Sequence, residues 1–209
     1  MKERGMIFNS EMVRAILDGR KTQTRRIMKV QPSEDFTPMN MALETDYKAR
    51  WYTPGIVDMD GYLQPASKEV FGVSNENEGY SCPFGAVGDR IWVRETWNKY
   101  GGLLTYRADH DWIDDMRKET VCTAKWVPSI HMPRWASRIL LEITDVRVER
   151  LRSMSQDDAR AEGVIAASGP MEAGLAFREL WDSIYGEESW NANPWVWVIE
   201  FKRVEGGAA

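Results

Sequence analysis

The sequence predicts an α+β fold, a small mixed β barrel with peripheral helices and long insertions, and three observations point to it. Strand and helix patterns follow the order strand, helix, several strands, two helices, strand. The connections are uneven in length, and most strands are expected to pair antiparallel. The regular strand–helix alternation that a doubly wound sheet needs is missing.

The first element is the short apolar run MIFN, residues 6–9, which suits a strand. Ser10 is the expected N-cap of a helix whose Met12, Val13, Ile16 and Leu17 share one face. Gly19 stands at the C′ position, where a left-handed conformation ends a helix without a Cβ penalty. Residues 29–87 contain Pro32, Pro38, Pro54, Pro65 and Pro83 with scattered Gly, and predict a long excursion with at most short elements. In GDRIWVRETW, residues 88–97, Gly88 and Asp89 form a turn, and Ile91, Trp92 and Val93 favour a strand. LLTYRAD, residues 103–109, suits another strand, and DWIDDMRKE, residues 111–119, a surface helical turn. WVPSIHMPRW, residues 126–135, carries two prolines and is expected to be a loop.

Residues 137–151 alternate. Ile139, Leu141 and Ile143 face one way, and Val146 and Val148 follow a turn or bulge at Asp145. Ser155 caps a short helix with Asp158 at the capping-box position, and Gly163 closes it. Phe177, Leu180, Trp181 and Ile184 mark a second amphipathic helix that ends at Gly186. WVWVIEFKRV, residues 195–204, is nearly all apolar and suits a central strand, and the tail EGGAA is expected to fray. One domain spanning 1–209 accommodates this order, with insertions at about 29–87 and 110–135.

Composition narrows the function. The 209 residues carry a formal net charge of -5, which argues against blanket nucleic-acid binding but allows a local basic patch. No apolar run is long enough for a signal peptide or a membrane span, so a cytoplasmic protein is expected. Cys82 and Cys122 cannot build a disulfide framework and suit a reducing compartment. Together with His110 and His131 they lack the paired spacing of a zinc site, and no Gly-rich phosphate loop or dinucleotide fingerprint is present. No metal and no cofactor are expected.

Against that acidic background, ILDGRKTQTRRI at residues 16–27 stands out. Arg20 and Lys21 suit the negative end of the preceding helix dipole. Arg25 and Arg26 lie beyond its last turn, and the dipole does not explain Thr22 and Thr24. A phosphate or nucleotide site accounts for all of them, because guanidinium forks and hydroxyls both bind phosphate oxygens. The residues alone give the two explanations similar weight.

GRKTQTRR resembles the signature of the ASCH domain, a branch of the PUA-like superfamily. Gly19, Lys21 and Arg26 match its Gly, Lys and Arg, and Thr24 stands where the signature has an acidic residue. That form is similar to the N4-acetylcytidine amidohydrolase group of the superfamily. VGDRIWVRETW, PSIHMPRWASRI and DDARAEGV resemble the longer ASCH-like proteins of phages and prophages. The resemblance runs discontinuously from Met6 to about Phe201. It implies a PUA-like pseudo-barrel with a cleft beside the first helix, and a catalytic Lys, Thr and Glu. Carried over by position, these are Lys21, Thr24 and Glu162 in ARAEG.

Elementary chemistry is compatible with those roles. Glu162 faces the negative end of a helix dipole, which favours a protonated carboxyl and suits a proton donor. Like charges around Lys21 favour its neutral amine, which can take the Thr24 hydroxyl proton. A solvated helix-end carboxylate and a turn hydroxyl are the plainer roles for Glu162 and Thr24. Arg20, Arg25 and Arg26 are candidate substrate contacts, as are Trp92, Arg94 and Glu95 on the predicted strand. Trp92 and Trp135 suit either base stacking or the core. His131 suits either a ligand contact or a structural hydrogen bond. Arg138 and Arg147 are expected on a solvated strand face. The implied activity is hydrolysis of an N-acyl amide on a modified nucleoside or nucleotide. The alternative is a non-enzymatic PUA-like module that binds single-stranded RNA or DNA. No membrane partner is expected.

Overall fold

The computed structural model describes residues 1–100, 102–110, 125–165 and 172–204. The expected helical turn at 111–119, Cys122 and the tail lie outside these residues.

The chain opens with β1 (Glu3–Ile7) and α1 (Ser10–Leu17), followed by β2 (Gln23–Ile27). Asn9, not Ser10, caps α1: its backbone is extended, and its side-chain oxygen accepts from the Met12 amide at 2.8 Å. Gly19 takes the expected left-handed conformation, φ 75°. The excursion holds only short strands: β3 (Arg50–Tyr52), β4 (Gly55–Val57), β5 (Leu63–Pro65), β6 (Val70–Ser74) and β7 (Gly79–Ser81). Then come β8 (Arg90–Arg94), β9 (Trp97–Tyr100) and β10 (Leu103–Tyr106), with 3₁₀ turns at Ser129–His131 and Arg134–Ala136. The order ends with β11 (Leu140–Arg150), α2 (Gln156–Ala161), α3 (Glu172–Tyr185), α4 (Glu187–Ala192) and β12 (Trp195–Arg203).

The principal sheet has the order β1-β8-β11-β12-β2. β1 runs parallel to β8, and the other three pairings are antiparallel. β11 carries the expected irregularity between Ile143 and Asp145. β12 is interior and buries both faces. Trp195, Trp197, Ile199 and Phe201 enter the main core with Phe8, Val13 and Ile16, while Val196 and Val198 pack on Phe177 and Trp181 of α3. Among the described residues no helix is long and apolar enough to cross a membrane.

The expected barrel is not closed. Edge strands β1 and β2 share no ladder. Instead the Arg26 guanidinium reaches from β2 to donate to the Ile7 carbonyl at 2.8 Å, and lies 5.4 Å from the centre of the Phe8 ring. A long charged side chain stands where a ladder would have closed the ring. The excursion shares the main core through Phe36, Phe71 and Val73. It is also tied to β11 by the bonds Ala49 N to Val146 O and Val148 N to Tyr47 O.

One close approach positions the site. The capping box of α2 is complete, with reciprocal bonds of 3.0 Å between Ser155 and Asp158. Gly163 follows the helix at φ 89°. A Cβ there would lie 2.7 Å from Ala15 Cβ and 2.8 Å from Lys21 Cβ. Only glycine lets the end of α2 press against both α1 and Lys21.

Candidate active site

Lys21 and Glu162 meet as an isolated backbone bridge, flanked by the bonds Lys21 N to Ala15 O and Thr22 N to Ala161 O. Their side chains meet as well. Lys21 Nζ donates to Glu162 Oε2 at 2.7 Å and to the Glu162 carbonyl at 2.9 Å. Both residues are at most 3% exposed, so solvent does not screen the pair. Burial pushes the Lys21 amine below the ordinary lysine value. The Glu162 carboxylate opposes that shift, and the charges of Arg26 and Arg25 add to it. Glu162 stands at the C-terminal end of α2, with two cations at hydrogen-bond distance.

The second cation is Arg25. Its Nη1 donates to Glu162 Oε1 at 3.0 Å. Its Nε and Nη2 reach Glu149 Oε1 at 2.8 and 2.5 Å, and Nη2 lies 3.4 Å from Asp158 Oδ1. Burial works against the guanidinium charge, but the Glu162 and Glu149 carboxylates outweigh it and hold Arg25 more firmly protonated. Arg25, a candidate substrate contact, is buried and paired with carboxylates of the protein. Arg20 and Arg26 are half-buried. Arg20 donates to the Gly163 carbonyl at 2.6 Å and to Asp18 at 3.0 Å, while Arg26 spans the sheet edges.

Thr24 is buried but does not join the pair. It lies opposite Ile199 of the main core, whereas Arg25 lies opposite Val198 on the α3 side. Directly opposed residues share a face, so Thr24 and Arg25 occupy opposite faces of β2. No hydrogen bond links Thr24 to Lys21 or Glu162. The two faces come together at the open edge of the strand, where Thr24, Arg25, Arg26 and Glu162 line one small pocket with Met12, Phe177 and Leu180.

Glu162 also lines a larger cleft of about 570 Å³ between α1 and α3. Glu11, Met12, Arg14 and Ala15 form one wall, and Ala176, Glu179, Leu180 and Ser183 the other. Arg20 and residues 163–165 complete it.

The remaining candidates lie elsewhere. Trp92, Arg94, Glu95, His131 and Trp135 do not line either cavity. Trp92 on β8 has the Arg94 guanidinium 5.4 Å from its ring centre. Arg94 itself donates to the Ser129 and Ile130 carbonyls. Glu95 is buried and accepts from Arg138 Nε and Nη2, at 2.9 and 3.1 Å. His131 is exposed on its 3₁₀ turn. Trp135 is 59% exposed, edge-on to Trp97 and 5.3 Å from the Lys99 ammonium. Cys82 is a free thiol that burial pushes up to about 11.

Sequence reasoning missed Gln23, Glu149 and Asp158 as site components. Gln23 donates to the Asp158 carbonyl and carboxylate at 2.8 and 3.1 Å. Arg147, expected on a solvated face, instead pairs with Asp158 at 2.8 Å, and also with Glu149 and Glu200. Burial opposes ionisation of Asp158, but bonds from Ser155 and Gln23 and the Arg25 charge hold its carboxyl well below the usual range. The available signal was the alternation of 146–149, which puts Arg147 and Glu149 on the face away from Val146 and Val148.

No protein-family model, no curated protein and no solved structure matches this chain.

Proposed function

We propose that this chain is an ASCH-type, PUA-like amidohydrolase that cleaves the N-acyl amide of a modified cytosine nucleoside. The observation that carries the reading is the buried Lys21–Glu162 contact of 2.7 Å, which opens onto a nucleoside-sized cleft through Glu162. The resemblance of GRKTQTRR and ARAEG supplies the substrate class.

The pair can store both protons that the reaction moves. In its neutral form, Lys21 is an amine and Glu162 an acid. Lys21 takes the Thr24 hydroxyl proton as Oγ1 bonds to the acyl carbon. Glu162 gives its proton to the departing nitrogen as the C–N bond breaks. The pair is then ionic, and the acyl group is an ester on Thr24. In the second half, water attacks the ester and its proton goes to Glu162. Lys21 returns a proton to Thr24, which restores the neutral pair. The substrate amide must sit at the open edge of β2, the place both faces reach. Hydrogen bonds of this kind tighten when substrate binds, so the open spacing at Thr24 is compatible with the role.

The binding-module alternative loses support because Arg20, Arg25 and Arg26 are engaged within the protein. The deciding experiment is turnover of N4-acetylcytidine with wild type, Thr24→Val, Lys21→Arg and Glu162→Gln. Thr24→Val and Lys21→Arg should abolish turnover, and Glu162→Gln should slow it by about 10²–10⁴-fold. Wild-type turnover by Thr24→Val would make water the direct nucleophile. A wild type inactive on a panel of acylated nucleosides, yet able to bind single-stranded RNA, would establish the alternative.

A further inference from the structure

We infer that Arg25 is a positioning residue: it holds one oxygen of Glu162 so that the other is presented to Lys21. The inference rests on the reading of Lys21 and Glu162 as the proton-moving pair.

The geometry divides Glu162 between two cations. Oε1 accepts from Arg25 Nη1 at 3.0 Å and Oε2 from Lys21 Nζ at 2.7 Å. A carboxylate held at one oxygen cannot turn about its terminal bond, so a single oxygen serves the amine. Arg25 is in turn fixed from behind. Glu149 of β11 takes its Nε and Nη2, Asp158 of α2 stands 3.4 Å from Nη2, and the Phe177 ring of α3 lies 5.8 Å from its guanidinium carbon. Three elements thus brace one side chain whose free branch points at Glu162. A planar fork suits this task, since it donates in two directions at once. A lysine at the same position would be a point charge.

The arrangement also bears on the charge state of Lys21. The charged groups facing it are Glu162 from the end of α2, and Arg25 and Arg26 from β2. From α1 it meets the uncharged Ala15 carbonyl. Without Arg25, the whole Glu162 carboxylate would face the amine and one repelling cation would be gone. Both changes favour the ammonium form. Glu149 works in the opposite sense. Its removal would leave Arg25 more fully committed to Glu162, weakening the hold of Glu162 on Lys21.

The test is a carbon-13 NMR titration of labelled lysine in the full chain, with the Lys21 signal assigned by its loss in Lys21→Arg. The Lys21 midpoint should move up by about one unit in Arg25→Met, a tenfold loss of neutral amine at a given pH. Arg25→Lys should give a smaller upward shift, and Glu149→Gln a shift downward. The pH profile of kcat should follow the same three directions, with KM little changed. If Arg25→Met fails to fold, Arg25→Lys and Glu149→Gln still predict opposite shifts. A purely structural Arg25 would leave the Lys21 midpoint of the folded variants where it is in wild type, and that result overturns the inference. The titration needs no substrate. An inactive wild type would therefore count against the proposed reaction, while an unmoved Lys21 midpoint in an active enzyme would reject the role of Arg25 alone.

Discussion

Glu162 and Glu95 are both buried carboxylates, 3% and 1% exposed, and both face an arginine. Their surroundings differ. Glu95 receives both its bonds from Arg138, and that same guanidinium forks onto Asp109 at 2.7 and 2.9 Å. The Tyr106 ring lies 4.0 Å from its guanidinium carbon. Every strong donor in that cluster is a guanidinium, which stays charged. Glu162 divides its oxygens between a guanidinium and an amine. The amine can lose its proton, and Glu162 beside it is one of the residues lining a cleft. A buried ion pair made of Arg and Glu is a brace. Substituting one lysine turns a brace into a group that can exchange a proton.

The largest expected difference between the clusters is in stability. Glu162→Gln strips the charge from between two cations and should cost about 3–5 kcal/mol in urea denaturation. Glu95→Gln should cost less, about 1–3 kcal/mol, because Arg138 keeps its fork on Asp109. Equal losses would erase the distinction.

Dependence on pH should separate them by sign. The folded Lys21 amine titrates below its ordinary 10.5, so between the two values the folded state binds fewer protons than the unfolded state. Stability relative to Lys21→Met should therefore rise with pH through that window. Burial pushes the Glu95 carboxyl up from 4.5, against the lowering effect of Arg138. There the folded state binds more protons, so stability relative to Glu95→Gln should fall as pH rises through the window above 4.5. Denaturation midpoints measured across pH check both slopes, and slopes of the same sign would break the contrast.

Asp158 sharpens it further. Its folded carboxyl titrates below 3.8, so its contribution is present above that value and is lost as pH falls towards the folded value. Asp158→Asn should be clearly destabilising at pH 7, and much closer to wild type at pH 2. The smallest effect is expected at Tyr106→Phe. It deletes the bond to the Ala136 carbonyl at 2.9 Å but keeps the ring beside Arg138. A loss of about 0.5–1.5 kcal/mol in thermal or urea unfolding would fit that bond, and a larger one would mean the hydroxyl orders Arg138.

Elements with an apolar period or a local cap were legible from sequence. The face of α1, the β11 irregularity at Asp145, the Ser155–Asp158 capping box and the interior place of β12 all rest on near-neighbour patterns. β2 was not legible, because QTRRI is mostly polar and its buried Gln23 and Arg25 are matched by carboxylates far along the chain. The same holds for the site. Lys21 and Glu162 followed from a resemblance, but the commitment of Arg25 to Glu149 and Glu162 depends on partners that no local period reveals. The parallel pairing of β1 with β8 and the open sheet edges are likewise set by long-range register. The short α4 and the strand β9 lack a hydrophobic stripe of their own.

Lys21 and Glu162 are separated by 141 positions, and among the described residues the one sheet neighbour of β2 is β12, the last strand. Contacts that distant are slow to form, because the entropy of closing the loop is lost before any contact repays it. Until β12 docks, β2 has no ladder, and its buried Arg25 and the Lys21 just before it have no reason to leave water. The Lys21–Glu162 pair is therefore expected to form late in folding. A refolding experiment that follows Lys21 should see it reach its native titration together with the slowest kinetic phase, after the hairpin of β9 and β10 has formed.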